Sequence, residues 1–266
     1  MILSGAYARA IALAMPVLKK AKRVIVLWQG GGCSHLDLFD DKPLMREMKG
    51  KDIPDSVRGM TRLSTMSSGY GKWPVQPAIK PHKAYGKCGM VLSEMLPNVG
   101  ALADELTLVR SMYTEAVNHA PGVTLFMTGS QVPGRPSMGA WVCYGLGSES
   151  QDLPGFVVFS TGKKGPSGGN SNWGSGFLPT VYQGVQCRSQ GDPVLFVSDP
   201  KGMDRDLRRA SLDAMRDLNQ LQAQEMGHPE TLTRIAQYEL AFRMQMSVPE
   251  IMDISKETKA TQEAYG

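Results

Sequence analysis

The stretch that most constrains this chain is residues 118–139, NHAPGVTLFMTGSQVPGRPSMG. An Asn-His pair opens it, a run of small and apolar residues follows, and Thr128-Gly129 closes it. That pattern predicts a short helix starting at His119 and stopped by a glycine. A Pro/Gly turn comes next, and Ser137 predicts the N-cap of a second helix over 138–146. A helix starting at His119 presents free backbone N–H groups and a positive dipole end. Such an end suits phosphate, sulfate or carboxylate. A neutral imidazole there serves as nucleophile, base or metal ligand, and Asn118 is placed to hydrogen-bond an oxyanion. The plain alternative is a His that caps a helix or packs in a core.

The first half of the chain leads into this stretch. Residues 24–27 (VIVL) are wholly apolar and run into Trp28-Gln29 and three glycines, the pattern of a buried parallel strand entering a functional loop. Residues 42–89 are rich in Pro and Gly with weak periodicity, which predicts a long irregular excursion; long loops in compact domains are usually functional. Ser93 predicts the N-cap of a helix through Asp104, with Leu96, Val99, Leu102 and Ala103 at helical spacing. Residues 106–112 (LTLVRSM) predict a second buried strand. The loops after both strands would lie at the strands' carboxyl ends, where open α/β sheets gather ligands.

Residues 156–159 (FVVF) and 195–197 predict two more strands, separated by a Gly/Ser-rich loop over 161–176. Residues 204–225 and 230–246 predict a pair of amphipathic helices within 204–247, joined at Gly227-His228-Pro229 and ended by Pro249. The expected architecture is one α/β domain over 1–266, with a mostly parallel central sheet flanked by helices. Residues 1–22 are apolar and then basic, the reverse of a secretory signal; they are an N-terminal helix or the remnant of a signal.

Composition excludes some classes. A net charge of +4, dispersed along the chain, gives no footprint for nucleic acid. No apolar run reaches the roughly 20 residues of a membrane span. Cys33, Cys88, Cys143 and Cys187 are far apart and form no CxxC pair, so buried free thiols or one or two disulfides are the open readings. The 17 methionines suit irregular core space.

Further candidates lie around the two loops. His35 and Asp37 are two residues apart and would point the same way in extended chain. With Asp40 and Asp41 nearby they offer ligands for Zn, Mn, Ca or another divalent metal; the alternative is a polar turn before Pro43. The glycines at 30–32 match neither GxGxxG nor GxxxxGKS, so no nucleotide is expected. Arg135, Lys163 and Lys164 are candidates for binding an anionic substrate, against a braced turn and a solvated loop. Arg110 on a buried strand would need a partner such as Asp104 or Glu105. His82 and His228 sit by prolines in loops and are expected at the surface.

These segments, together with LPGFVVF and RIAQYELAFRMQMSVPEIMDIS, resemble the bacterial family called domain of unknown function 1501, abundant in planctomycetes. The likeness covers residues 22–266. Family members look like distant relatives of the sulfatase and alkaline phosphatase superfamily, which implies an α/β sheet and metal-dependent hydrolysis of sulfate or phosphate esters. Sulfatases carry Cys-x-Pro-x-Arg and then Thr-Gly; here His119-Ala120-Pro121 and Thr128-Gly129 fall at matching spacings. His119 thus stands where that nucleophile stands, but His replaces Cys or Ser and Val123 replaces the Arg. Gln29 or Gly30 holds the place of the first-strand metal-binding Asp.

The resemblance implies a small-molecule or carbohydrate ester as substrate and a periplasmic or envelope location, with the cytoplasm as alternative. Members look longer, with Gly-Trp-Asp-x-His-like and Gly-Glu-Phe-Gly-Arg-like segments, so the chain is expected to be an N-terminal portion. The competing expectation is a catalytically inactive relative that binds an anionic carbohydrate in the envelope.

Overall fold

The structure is a computed structural model. It describes residues 21–30, 33–59, 67, 69–150, 152–160, 165–188, 194, 198–227 and 229–265. Residues 1–20, Gly31, Gly32, Lys163, Lys164, the strand expected over 195–197 and His228 lie outside the described residues. The architecture is mixed α/β. The chain separates into two compact units, Met1–Gly122 and Val123–Gly266, and each is described by itself.

In the first unit, α1 (His35–Leu38) is capped by Ser34, whose hydroxyl accepts from the Asp37 N–H. Two more single-turn helices, α2 (Leu44–Glu47) and α3 (Asp55–Arg58), follow prolines that preset φ at their starts. The excursion beyond Asp41 is therefore partly ordered. Its two arms meet where Ile53 N–H donates to the Trp73 carbonyl and Val75 N–H to that of Lys51. Asp52 adds a carboxylate bond to Trp73 N–H at 2.6 Å, and the Arg58 guanidinium lies 4.2 Å from the Trp73 ring centroid.

The unit's sheet is a hairpin, absent from the sequence reading. β1 (His82–Tyr85) pairs antiparallel with β2 (Met90–Ser93), with His82 opposite Ser93 and Tyr85 opposite Met90. Leu92 and Ser93 are buried. Ser93 thus ends a strand and does not cap a long helix. Only α4 (Pro97–Gly100) and a 3-10 turn, Ala103–Glu105, occupy the expected helix. The Tyr85 ring lies against Gly100, too close for any side chain at that position. Asp104 is drawn to the hairpin turn.

The strands expected at 24–27 and 106–112 are a correction. Both segments are irregular, and Ile25 and Leu27 are each 83% exposed. A strand needs a neighbour for its backbone N–H and C=O groups, and among the described residues neither segment pairs in a sheet. Apolar composition supplied half of the strand signal and the missing partner removed it.

α5 (His119–Thr128) leads into the second unit, followed by α6 (Met138–Leu146), where Ser137 caps as expected by accepting from Ala140 N–H. β3 (Val157–Phe159) pairs in parallel with β4 (Val185–Cys187), with Phe159 opposite Cys187. Among the described residues the two sheets have two strands each. The Gly/Ser-rich loop does not stay in solvent: Asn172, Trp173 and Ser175 are buried.

α7 (Arg205–Met226) starts at the Asp204 cap and ends at left-handed Gly227. α8 (Pro229–Ile251) runs past Pro249, a second correction. A proline withdraws one N–H from the carbonyl four residues back. That carbonyl, of Gln245, instead accepts from Arg205 Nη2 at 3.4 Å. Met244 and Val248 form a buried cluster in this unit, with Leu153, Val185, Val194, Leu240 and Met252 packed on them. A final helix, α9, covers Lys259–Tyr265. Among the described residues no helix is long and apolar enough to cross a membrane.

Candidate functional site

α5 begins where the sequence places it. The Asn118 carbonyl accepts from Gly122 N–H at 3.2 Å, so Asn118 stands at the helix threshold and His119 in its first turn. Both residues are exposed. Pro121 lies in the first turn, where a missing N–H costs nothing. The helix stops because Gly129, at φ +73°, returns its N–H to the Leu125 carbonyl at 2.8 Å. Thr128 Oγ1 donates to the Thr124 carbonyl at 2.7 Å and lies 3.2 Å from that of Ser130. The lower half of the helix is anchored by buried Val123, Thr124 and Thr128. The upper end presents imidazole, amide and free N–H groups to solvent, an arrangement able to hold an anion.

His35 and Asp37 do not share a face. They lie on α1, and in a helix residues two apart point to opposite sides. His35 is exposed, while the Asp37 carboxylate is engaged. It accepts from Ile79 N–H at 2.8 Å. The Ser34 hydroxyl first, and then the Ile79 amide, hold its carboxyl below the usual carboxylate range. Asp37 thus fastens the base of the excursion. Among the described residues no three His, Cys, Asp or Glu side chains are grouped to hold a metal ion, so His35, Asp37 and His119 form no such centre.

Arg135 is exposed, and its backbone is braced: Gly176, at φ +57°, packs against Arg135 and Pro136 so closely that a Cβ there would overlap them. Lys163 and Lys164 lie outside the described residues. Arg110 is exposed and donates to the Val91 carbonyl at 3.3 Å, in place of the carboxylate partner expected on a buried strand.

His82 corrects another expectation. Its side chain is 0% exposed, with Nδ1 3.7 Å from Asp41 Oδ1, and neither ring nitrogen has a hydrogen-bond partner. Asp41 Oδ1 itself takes a 2.7 Å bond from Arg46. The neighbouring prolines had suggested a surface loop, and the hairpin pairing that buries His82 leaves no local signal.

The four cysteines are free: Cys33 and Cys88 are exposed, Cys143 is half-buried and Cys187 buried. Burial pushes the Cys143 and Cys187 thiols up, which makes them poor nucleophiles. No curated protein and no solved structure matches the chain. The family model described as protein of unknown function (DUF1501) matches residues 21–266, and the chain belongs to that family.

Proposed function

We propose that this protein is a sulfatase-like hydrolase of sulfate or phosphate esters, built on an alkaline-phosphatase-like parallel sheet, with His119 as its nucleophile. The supporting observation is an exposed His in the first turn of a ten-residue helix, with Pro121 and Thr128-Gly129 at the nucleophile-motif spacings. The helix N-terminus binds the ester's anionic oxygens. Asn118 donates to the oxygen that gains charge in the transition state. A neutral imidazole nitrogen bonds to sulfur or phosphorus while the bond to the ester oxygen breaks. The alcohol leaves after taking a proton from water, and a second water then cleaves the sulfo- or phospho-imidazole and restores neutral His119. A divalent metal belongs to the assay as an additive; the chemistry above uses only the chain's own groups.

The test is turnover of 4-nitrophenyl sulfate and 4-nitrophenyl phosphate by the full chain, alone and with Zn, Mn or Ca. His119→Ala is expected to lower kcat by about 10²-fold or more, the scale on which catalytic groups act. Turnover that survives His119→Ala removes the nucleophile assignment. His119 in place of Cys or Ser, and Gln29 or Gly30 in place of the first-strand Asp, favour a second reading, a non-catalytic binder of anionic carbohydrate. No turnover under any metal, with sulfated oligosaccharide bound by wild type and His119→Ala alike, decides for it.

A further inference from the structure

We propose that a cavity in the second unit, between α6, the 3-10 turn Thr180–Tyr182 and α8, binds a small amphiphilic anion. The ligand has an aromatic or branched aliphatic body and a carboxylate, sulfonate or sulfate head. The cavity measures about 420 Å³, within the range of small-molecule sites. All of its lining comes from residues 143–243, so it stands apart from the His119 proposal.

One wall is a single face of α8: Ala236, Glu239, Leu240 and Arg243 line it, at the spacing that aligns side chains along a helix. Leu153, Phe156, Val181 and Leu240 make the body of the cavity apolar. Cys143 belongs to the same surface, since burial keeps its thiol protonated. Gly155 lets β3's lead-in approach: a Cβ there would sit 3.1 Å from Cys143 Sγ and 3.0 Å from Ser148 Cβ.

The polar groups favour an anion. Ser148 Oγ already accepts from Ser150 N–H, and Ser150 Oγ from Leu153 N–H. Each hydroxyl therefore keeps its own proton to donate. Tyr182 also lines the cavity. Arg243 supplies the positive charge; it pairs with Asp152 at 3.6 Å, and a guanidinium carries five N–H donors, enough for a ligand carboxylate or sulfonate beside the partners it has. Glu239 would repel an anion, but Arg209 grips both of its oxygens at 2.7 and 3.0 Å, and Arg216 stands 4.0 Å away.

The experiment is calorimetric titration of the full chain with naphthalene-2-sulfonate and with neutral naphthalene-2-methanol. The sulfonate should bind one-to-one, and the alcohol roughly tenfold more weakly, on the scale of one charge-assisted hydrogen bond. Arg243→Gln should weaken the sulfonate about tenfold and leave the alcohol unchanged. Filling the cavity by Ala236→Trp should remove both; if that variant fails to fold, Val181→Trp fills it from the opposite wall. Equal affinity for sulfonate and alcohol, or an Arg243→Gln variant that binds like wild type, overturns the anion assignment. Binding that survives a folded cavity-filling variant overturns the site.

Discussion

Asp104 closes the hairpin turn from sixteen residues away in the chain. One carboxylate oxygen accepts from Cys88 N–H at 2.7 Å and the other from Lys87 N–H at 2.9 Å. The Lys87 amide first, and then Cys88, hold its carboxyl below the ordinary value of 3.8. Gly86, at φ +65°, makes the approach possible, because a Cβ there would lie 2.6 Å from Asp104 Oδ1. Asp104→Ala leaves both turn amides without their acceptor, so hydrogen exchange across 82–93 should accelerate at neutral pH. In wild type the depressed pKa places the protection above 3.8, and it fades as pH falls below that value. Exchange rates equal in both proteins would sink the idea. Residue-scale roles of this kind were poorly legible: local periodicity marked Asp104 as the end of a helix, and only the hairpin makes it a cap. Ser137 was easier to place, because a cap acts on an amide three residues ahead.

The α7–α8 pair shows what is legible at the scale of elements. The Asp204 cap and the Gly227 stop of α7 are local, and α7 falls within one residue of its expected bounds, whereas α8 runs on to Ile251, past its expected end at Met246. The pair is tied by Arg209, which reaches Glu239 on α8 and Asp213 on its own helix. Arg209 pulls the Glu239 carboxyl below its ordinary value of 4.5, and the carboxylates raise the guanidinium in turn, Glu239 first. Both groups are only partly buried, so Glu239→Gln should cost about 1 kcal/mol at pH 7. A depressed carboxyl contributes stability that is present above 4.5 and lost as pH falls through its folded pKa. Thermal midpoints of wild type and Glu239→Gln should therefore converge as pH falls below 4.5. A gap that does not narrow as pH falls would assign the loss to packing instead.

At the scale of the whole molecule, the location of buried apolar surface differs from what apolar runs suggest. Leu92 on β2 is 1% exposed, whereas Leu27, in the most apolar run of the first unit, is 83% exposed. Leu92→Ala should cost about 2–5 kcal/mol, and Leu27→Ala should stay within about 0.5 kcal/mol. Urea unfolding of the two variants checks the order, and a larger loss at Leu27 would place the core at 24–27 after all. The same contrast bears on the candidate site. The helix that carries His119 is fully specified by its own residues, while a metal centre needs side chains from several segments, and His35 and Asp37 fold into a turn of helix that separates them.

The amino-acid sequence by itself determined the family, the helix at His119 with its glycine stop, the Ser137 cap and the α7–α8 pair. Each depends on interactions within about one turn of chain or on motif spacing, and such information is written locally. Tertiary structure alone decided which apolar segments become strands, that His82 is buried beside Asp41, that Asp37 fastens a loop, and that Arg205 answers the carbonyl left by Pro249. The last three of those outcomes depend on partners 40 or more residues apart. A strand or a buried polar group is defined by the neighbour that satisfies its hydrogen bonds, and no local pattern names that neighbour.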